Sequence, residues 1–150
     1  MKLFQGMDIS ASALTTQRLR MDVISANIAN AETTRGKYVD GKWQPYTRKL
    51  VEVQANTKSG FRQVLNQYIN REPELSGVKV SGIVEDKSPY KKVYQPTHPD
   101  ADENGFVYYP NVDILKEMVD MISATRAYEA NVTALNSTKA MLMKALEIGK

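Results

Sequence analysis

The sequence predicts an α+β fold in which two long terminal helices, a coiled-coil-like pair, flank a small β-rich insert. Three observations carry this. Apolar residues recur at heptad spacing in the first thirty residues, they do so again over the last forty, and between them the pattern changes to short β-branched and aromatic runs. The segments implied are residues 1–35, 36–110 and 111–150.

In the first segment Met7, Leu14, Met21 and Ile28 make one heptad row, with Ile24 and Ala31 at the intermediate position, so a narrow apolar stripe runs along one helix face. Leu3, Ala11 and Leu19 widen it. The stretch SANIANAETTRG, Ser25 to Gly36, then breaks the periodicity as helix ends do. Asn27 and Asn30 tolerate left-handed backbone and bridge backbone groups through their amides. Ala26, Ala29 and Ala31 let helices approach closely, which suits a crowded helix end. A plain helix terminus also uses Asn and Thr, and both readings stay open here.

Four runs of the insert read as strands: KLVEVQA (Lys49–Ala55), GVKVSGIV (Gly77–Val84), KKVYQ (Lys91–Gln95) and GFVYYP (Gly105–Pro110). All six prolines lie in this segment, five of them before Tyr109 and Pro110 at its end, and they mark its turns. FRQVLNQYINRE, Phe61 to Glu72, reads as a short helix.

The last segment opens at Asn111, taken as an N-cap after Pro110 and with Asp113 in the first turn. From there Ile114, Met118, Met121, Thr125, Tyr128, Val132, Leu135, Lys139, Leu142 and Leu146 step alternately by four and three, with Thr125 and Lys139 the polar interruptions. Gly149 stands where a helix C-terminus favours glycine. A helix over 111–148 would be roughly 55 Å long and needs a partner along its length. In a free subunit much of this stripe, Leu135 included, is expected to face water.

Little in the sequence points to chemistry. With no cysteine and a single histidine, His98, thiolate nucleophiles and Cys/His metal sites are excluded. HPDADENGF holds half of a calcium loop in Asp100, Asp102, Asn104 and Gly105, but Asn111 stands where the bidentate glutamate belongs, and an acidic turn explains the run. The close carboxylates Glu72/Glu74 and Glu85/Asp86 lie in hydrophilic turn-like sequence and read as surface charge. No nucleophile elbow, phosphate loop or H-E-x-x-H occurs, so no catalytic, cofactor or metal residue is assigned. The net charge of +3 is spread along the chain, which disfavours nucleic acid as a partner. No run approaches the ~18 apolar residues of a membrane span, and no signal-peptide core precedes the first helix.

The apolar stripes themselves admit two readings, an intramolecular helical hairpin or a surface that packs subunits head to tail into a filament or tube.

At this point ANIANAETT (Ala26–Thr34) resembles the N-terminal signature of the bacterial flagellar axial proteins, the rod and hook family, and MISATRAYEANV (Met121–Val132) resembles its C-terminal counterpart. GVKVSGIVED, KKVYQPTHPDADENGFVYYPNVD and KEMVDM are similar to the proximal-rod members. The likeness covers both ends and most of the insert, leaving out Lys58–Ser76. Two departures stand out: the Gly-aromatic pair after the threonines is spread over Gly36, Lys37 and Tyr38, and Glu32 stands where asparagine is common. The resemblance implies a non-enzymatic subunit of the basal-body rod, the drive shaft from motor to hook and filament. It implies terminal helices packed as the inner wall of a tube, other copies and other rod proteins as partners, and uncleaved export through the flagellar type III apparatus. The assembly face expected on this basis comprises Met7, Leu14, Met21, Ile24, Asn27, Ile28, Asn30, Met118, Met121, Tyr128, Asn131, Val132, Leu135, Leu142 and Leu146. A coiled-coil adaptor or secreted effector holding one partner helix is the alternative, and a calcium module rests on the half-motif alone.

Overall fold

The computed structural model describes residues 4–39, 41–57 and 75–148. In chain order these form α1 (Gln5–Ala29), β1 (Lys37–Val39), β2 (Lys42–Gln44), β3 (Lys49–Thr57), β4 (Leu75–Glu85), β5 (Lys91–Tyr94), β6 (Phe106–Tyr109) and α2 (Ile114–Ile148). The strands associate as three two-stranded sheets, β1 with β2, β3 with β4 and β5 with β6. All four strands read from the sequence are present as β3 to β6, while the expected helix at Phe61–Glu72 lies outside the described residues. The chain divides into two compact units that cut through both helices. The first is Met1–Leu19, Glu52–Gly82 and Ala124–Lys150; the second is Arg20–Val51 and Ile83–Ser123.

The second unit contains a hairpin that the sequence reading missed. β1 and β2 pair antiparallel with Tyr38 opposite Trp43 and Val39 opposite Lys42, and Gly41 takes a left-handed φ of 81° in the link. An Asp-Gly pair at that spacing is a strong hairpin signal, because glycine carries the positive φ without a steric cost. β5 and β6 pair antiparallel from Lys91–Tyr109 to Tyr94–Phe106. Alternation along β6 turns Val107 fully inward, where burial of a valine contributes about 1.5–3 kcal/mol. Val23, Ile24 and Val112 join it as buried apolar residues of this unit.

The cap of α2 is corrected by the structure. Asp113, not Asn111, receives the Leu115 amide at 3.1 Å and the Lys116 amide at 3.5 Å. Val112 is buried, and Asn111 instead accepts the Arg48 amide at 3.1 Å and donates to the Ser88 carbonyl at 3.2 Å. A carboxylate at the N-cap also faces the positive end of the helix dipole.

In the first unit β4 approaches α1 at glycine distance. Gly77 has φ +97°, and a β-carbon there would lie 2.3 Å from Ser12 Oγ, so only glycine fits. The neighbouring Val78 amide donates to that hydroxyl at 3.2 Å, and the hydroxyl donates to the Ile9 carbonyl at 2.7 Å. α1 and α2 lie close here too, a β-carbon at Gly6 being 3.8 Å from Thr138 Cγ2. The apolar cover is thin: among the described residues of this unit Ala124 alone is a buried hydrophobic, and Phe4, Met141, Met143 and Leu146 stay exposed.

Candidate assembly site

Polar chemistry in the second unit converges on the end of α1, the start of β3 and the first turns of α2. Asn27 is 1% exposed and lies inside α1 with helical backbone, so it does not use the left-handed conformation that asparagine tolerates. Its amide is used completely. Nδ2 donates to the Lys49 carbonyl at 2.9 Å and to Glu117 Oε2 at 3.1 Å, while Oδ1 accepts the Lys49 amide at 2.9 Å and the Tyr46 hydroxyl at 3.0 Å. Two donors and two acceptors are all a side-chain amide possesses. Toward Lys49 the side chain acts as a strand neighbour would, satisfying one residue's N–H and C=O together.

Glu117, equally buried at 1% exposure, is held from the other side by Arg48. Arg48 Nε donates to Glu117 Oε1 at 2.7 Å, its guanidinium reaches Asp86 at 3.4 Å, and Asp120 lies 3.9 Å away. Burial, the largest single influence, would lower the Arg48 pKa, yet the hydrogen bonds and attraction of Glu117 and Asp86 together raise it. Burial pushes the Tyr46 phenol upward, with Glu117 and Glu85 adding to the effect, so the hydroxyl that Asn27 needs as a donor is kept protonated. The Asp86 carboxyl is depressed mainly by the Ser88 hydroxyl and amide, against a smaller opposing effect of burial, with Arg48 contributing further. The arrangement leaves no member of this clasp without a partner.

Beyond Asn27 the signature residues close the helix and tie it to the β5–β6 link. Asn30 Nδ2 donates at 2.9 Å to the Ala26 carbonyl, which also accepts the Asn30 backbone amide, and Asn30 Oδ1 accepts the Thr33 hydroxyl at 3.3 Å. Thr34 donates to Asp100 Oδ2 at 2.8 Å, and Arg35 binds the other oxygen through Nε at 2.7 Å and through its terminal nitrogen. The first aspartate of the calcium half-motif is therefore engaged within the chain, and Asp102 supplies backbone bonds to Gly105 and Phe106 that close the hairpin.

Hydrogen bonds from Arg35, then Thr34, hold the Asp100 carboxyl below its ordinary value. A depressed folded-state pKa contributes stability that is present above the unfolded value of about 3.9 and is lost as pH falls through the folded one. Asp100→Asn is therefore expected to lower the stability of the purified chain by about 1 kcal/mol at pH 7, a difference that shrinks in acid as the pH falls through the depressed Asp100 value. Denaturant melts at neutral pH and in acid check this, and a pH-independent difference would show that packing rather than charge accounts for it.

An apolar stripe of α2 lies on the surface beside the clasp. Leu115 and Val119 are 76% and 67% exposed, and Ile114, Met118 and Ile122 are exposed beside them, all on one side of α2. The opposite side is the covered one. Its row runs Glu117, Met121, Ala124, Tyr128, Asn131, Leu135, Thr138, Leu142, every member buried or half-buried. The sequence-derived seam shares Met121, Tyr128, Leu135 and Leu142 with it but sets the alternate row one residue further along, at Met118, Thr125, Val132 and Lys139. The true alternates are acidic, small or polar and carry no hydrophobic signal. Of the residues expected on an assembly face, Ile24 and Asn27 are buried within the chain, and Met7, Leu14, Met21, Ile28, Asn30, Met121, Tyr128, Asn131, Val132, Leu135 and Leu142 are half-buried. Met118 and Leu146 are exposed. Leu135 thus packs partly on its own chain and does not lie open to water.

A second exposed patch sits on the hairpins of the same unit. Tyr38 and Trp43 pack at a centroid distance of 5.1 Å with most of each ring uncovered, and Lys92 lies 4.1 Å over Phe106. Among the described residues no group of three His, Cys, Asp or Glu is placed to hold a metal, and no helix is long and apolar enough to cross a membrane.

Comparison with known proteins adds the following. Residues 7–37 match the family model described as flagella basal body rod protein, and residues 103–148 match that of the C-terminal part of the flagellar basal body rod FlgEFG proteins. The chain is 57% identical over 151 residues to the flagellar basal-body rod protein FlgC of Bacillus subtilis (strain 168), covering 100% of both. It is 44% identical over 154 residues to FlgC of Borreliella burgdorferi, covering 99% of this chain and 98% of the relative, and 41% identical over 150 residues to FlgC of Escherichia coli O157:H7, covering 100% of both.

Proposed function

Because the chain belongs to the family of flagellar basal-body rod proteins named FlgC, we propose that it enters the rod through the exposed stripe of α2 and the exposed ends of both helices. It is a structural subunit of the basal-body rod and assembles with other rod components. The observation that carries the interface is the run of large apolar side chains, Ile114, Leu115, Met118, Val119 and Ile122, left open on two consecutive turns. Each such side chain contributes about 1.5–3 kcal/mol when fully covered, against an association cost of about 4–15 kcal/mol. A single contact of this kind is weak, whereas a lattice that repeats a heterologous contact on every subunit accumulates it.

In this reading the neighbours are other copies of the chain and sister rod proteins, the polymer is the shaft that carries torque, and subunits reach it through the flagellar type III export apparatus. The relatives are structural proteins, and the reading gives the chain no catalytic role. The test is to express a tagged copy in cells lacking the native one. Recovery of the tag in purified basal bodies together with restored filaments is expected; filaments built while the tag stays in the cytosol would contradict it.

A further inference from the structure

We propose that the clasp of Asn27, Arg48 and Glu117 is a positioning device that selects which face of α2 turns inward, and so which face is offered to neighbours. The first turns of α2 are apolar over one broad face: Ile114, Leu115, Met118, Val119 and Ile122 face out and Met121 stands at the inward edge, while Lys116, Glu117, Asp120 and Ser123 hold the other side. Hydrophobic burial alone would favour turning that broad face inward. A slip of one residue turns a helix by about 100°, which in one direction would put Met118 and Ile122 where Glu117 and Met121 now lie. Glu117 forbids the slip. Its two oxygens must meet Arg48 Nε at 2.7 Å and Asn27 Nδ2 at 3.1 Å, and any other rotation strands a buried carboxylate and a guanidinium. The same geometry explains why a buried ion pair stands where an apolar pair would pack as well: such pairs are weak sources of stability and are retained where they fix register.

The chain has no cysteine, so single cysteines report orientation without background. In the otherwise native full-length chain, maleimide should modify Leu115→Cys at least about tenfold faster than Met121→Cys, since thiol reactivity follows exposure. In the Arg48→Met/Glu117→Leu background the chain is expected to melt within about 5 °C of the parent, because an apolar replacement of a buried pair is tolerated. The reactivity ratio should fall toward one, and recovery in basal bodies should drop about tenfold or more. A ratio and a recovery both unchanged would overturn the proposal. Should the double variant not fold, Arg48→Lys, which keeps the charge and loses the planar fork, is expected to lower the ratio severalfold, and an unchanged ratio there overturns the proposal equally. Val107→Ala, a cavity in the β5–β6 hairpin, should lower the melting temperature and leave the ratio intact, which a merely structural role for the clasp would not predict. The inference rests on the stripe as an assembly surface only through the basal-body arm. A lowered ratio with unchanged recovery would leave the clasp as the selector of the face and count against the stripe.

Discussion

Asn27→Asp is expected to destabilise the second unit by about 3–5 kcal/mol, a large share of the roughly 5–15 kcal/mol that holds a domain of ordinary stability. The substitution is nearly isosteric, so the effect is electronic. The nitrogen that donates to the Lys49 carbonyl and to Glu117 becomes an oxygen, bringing one carboxylate against another at the present 3.1 Å and an acceptor against an acceptor at 2.9 Å. Asn30→Asp is the matched comparison. Asn30 is half-buried and bonds only its own helix end and Thr33, so an added negative charge near the helix C-terminus should cost about 0.3–1 kcal/mol. Denaturant melts of the two variants should differ several-fold in effect, and equal effects would mean that Asn27 is an ordinary helix-end residue.

Leu115→Asp is expected to do the reverse, leaving the fold alone and abolishing assembly. Leu115 is largely exposed in the free chain, where a surface substitution changes stability by about 0.5 kcal/mol or less. In the rod the same carboxylate would have to be desolvated against apolar neighbours without a partner, at several kcal/mol per contact. Cells carrying the variant should make a soluble chain with native-like spectra yet lack filaments, and Val119→Asp should behave alike. Leu135→Asp separates folding from assembly. Leu135 is half-buried on the covered row, so its charge variant should lower the melting temperature of the free subunit as well.

The architecture was legible wherever a period extended over many residues. Both helices and the strands β3 to β6 follow from spacing, whereas β1 and β2 have three residues each, too few to show alternation, and only Gly41 after an aspartate signals their turn. The site was harder to read. Arg48 and Glu117 are 69 positions apart and Asn27 and Glu117 are 90 apart, and a charged residue in an amphipathic helix reads as the solvent side unless its partner is known. That rule moved the predicted row from Glu117 to Met118. Asn27 was singled out correctly as unusual, and the bridging of backbone groups ascribed to its amide is what it does with Lys49, although its partners lie in its own chain.

The central claim is that the outward stripe of α2 is covered by neighbouring subunits in the rod, and a single cysteine at position 115 tests it most directly. Leu115→Cys in this cysteine-free chain can be treated with maleimide both as purified subunit and within isolated basal bodies, and the modified fraction compared at equal time and reagent. Rapid labelling of the free subunit and strong protection in the basal body, with protection also at Val119→Cys and none at Lys87→Cys on the exposed loop between β4 and β5, is the predicted result. Labelling of position 115 in basal bodies at the rate of the free subunit would contradict it.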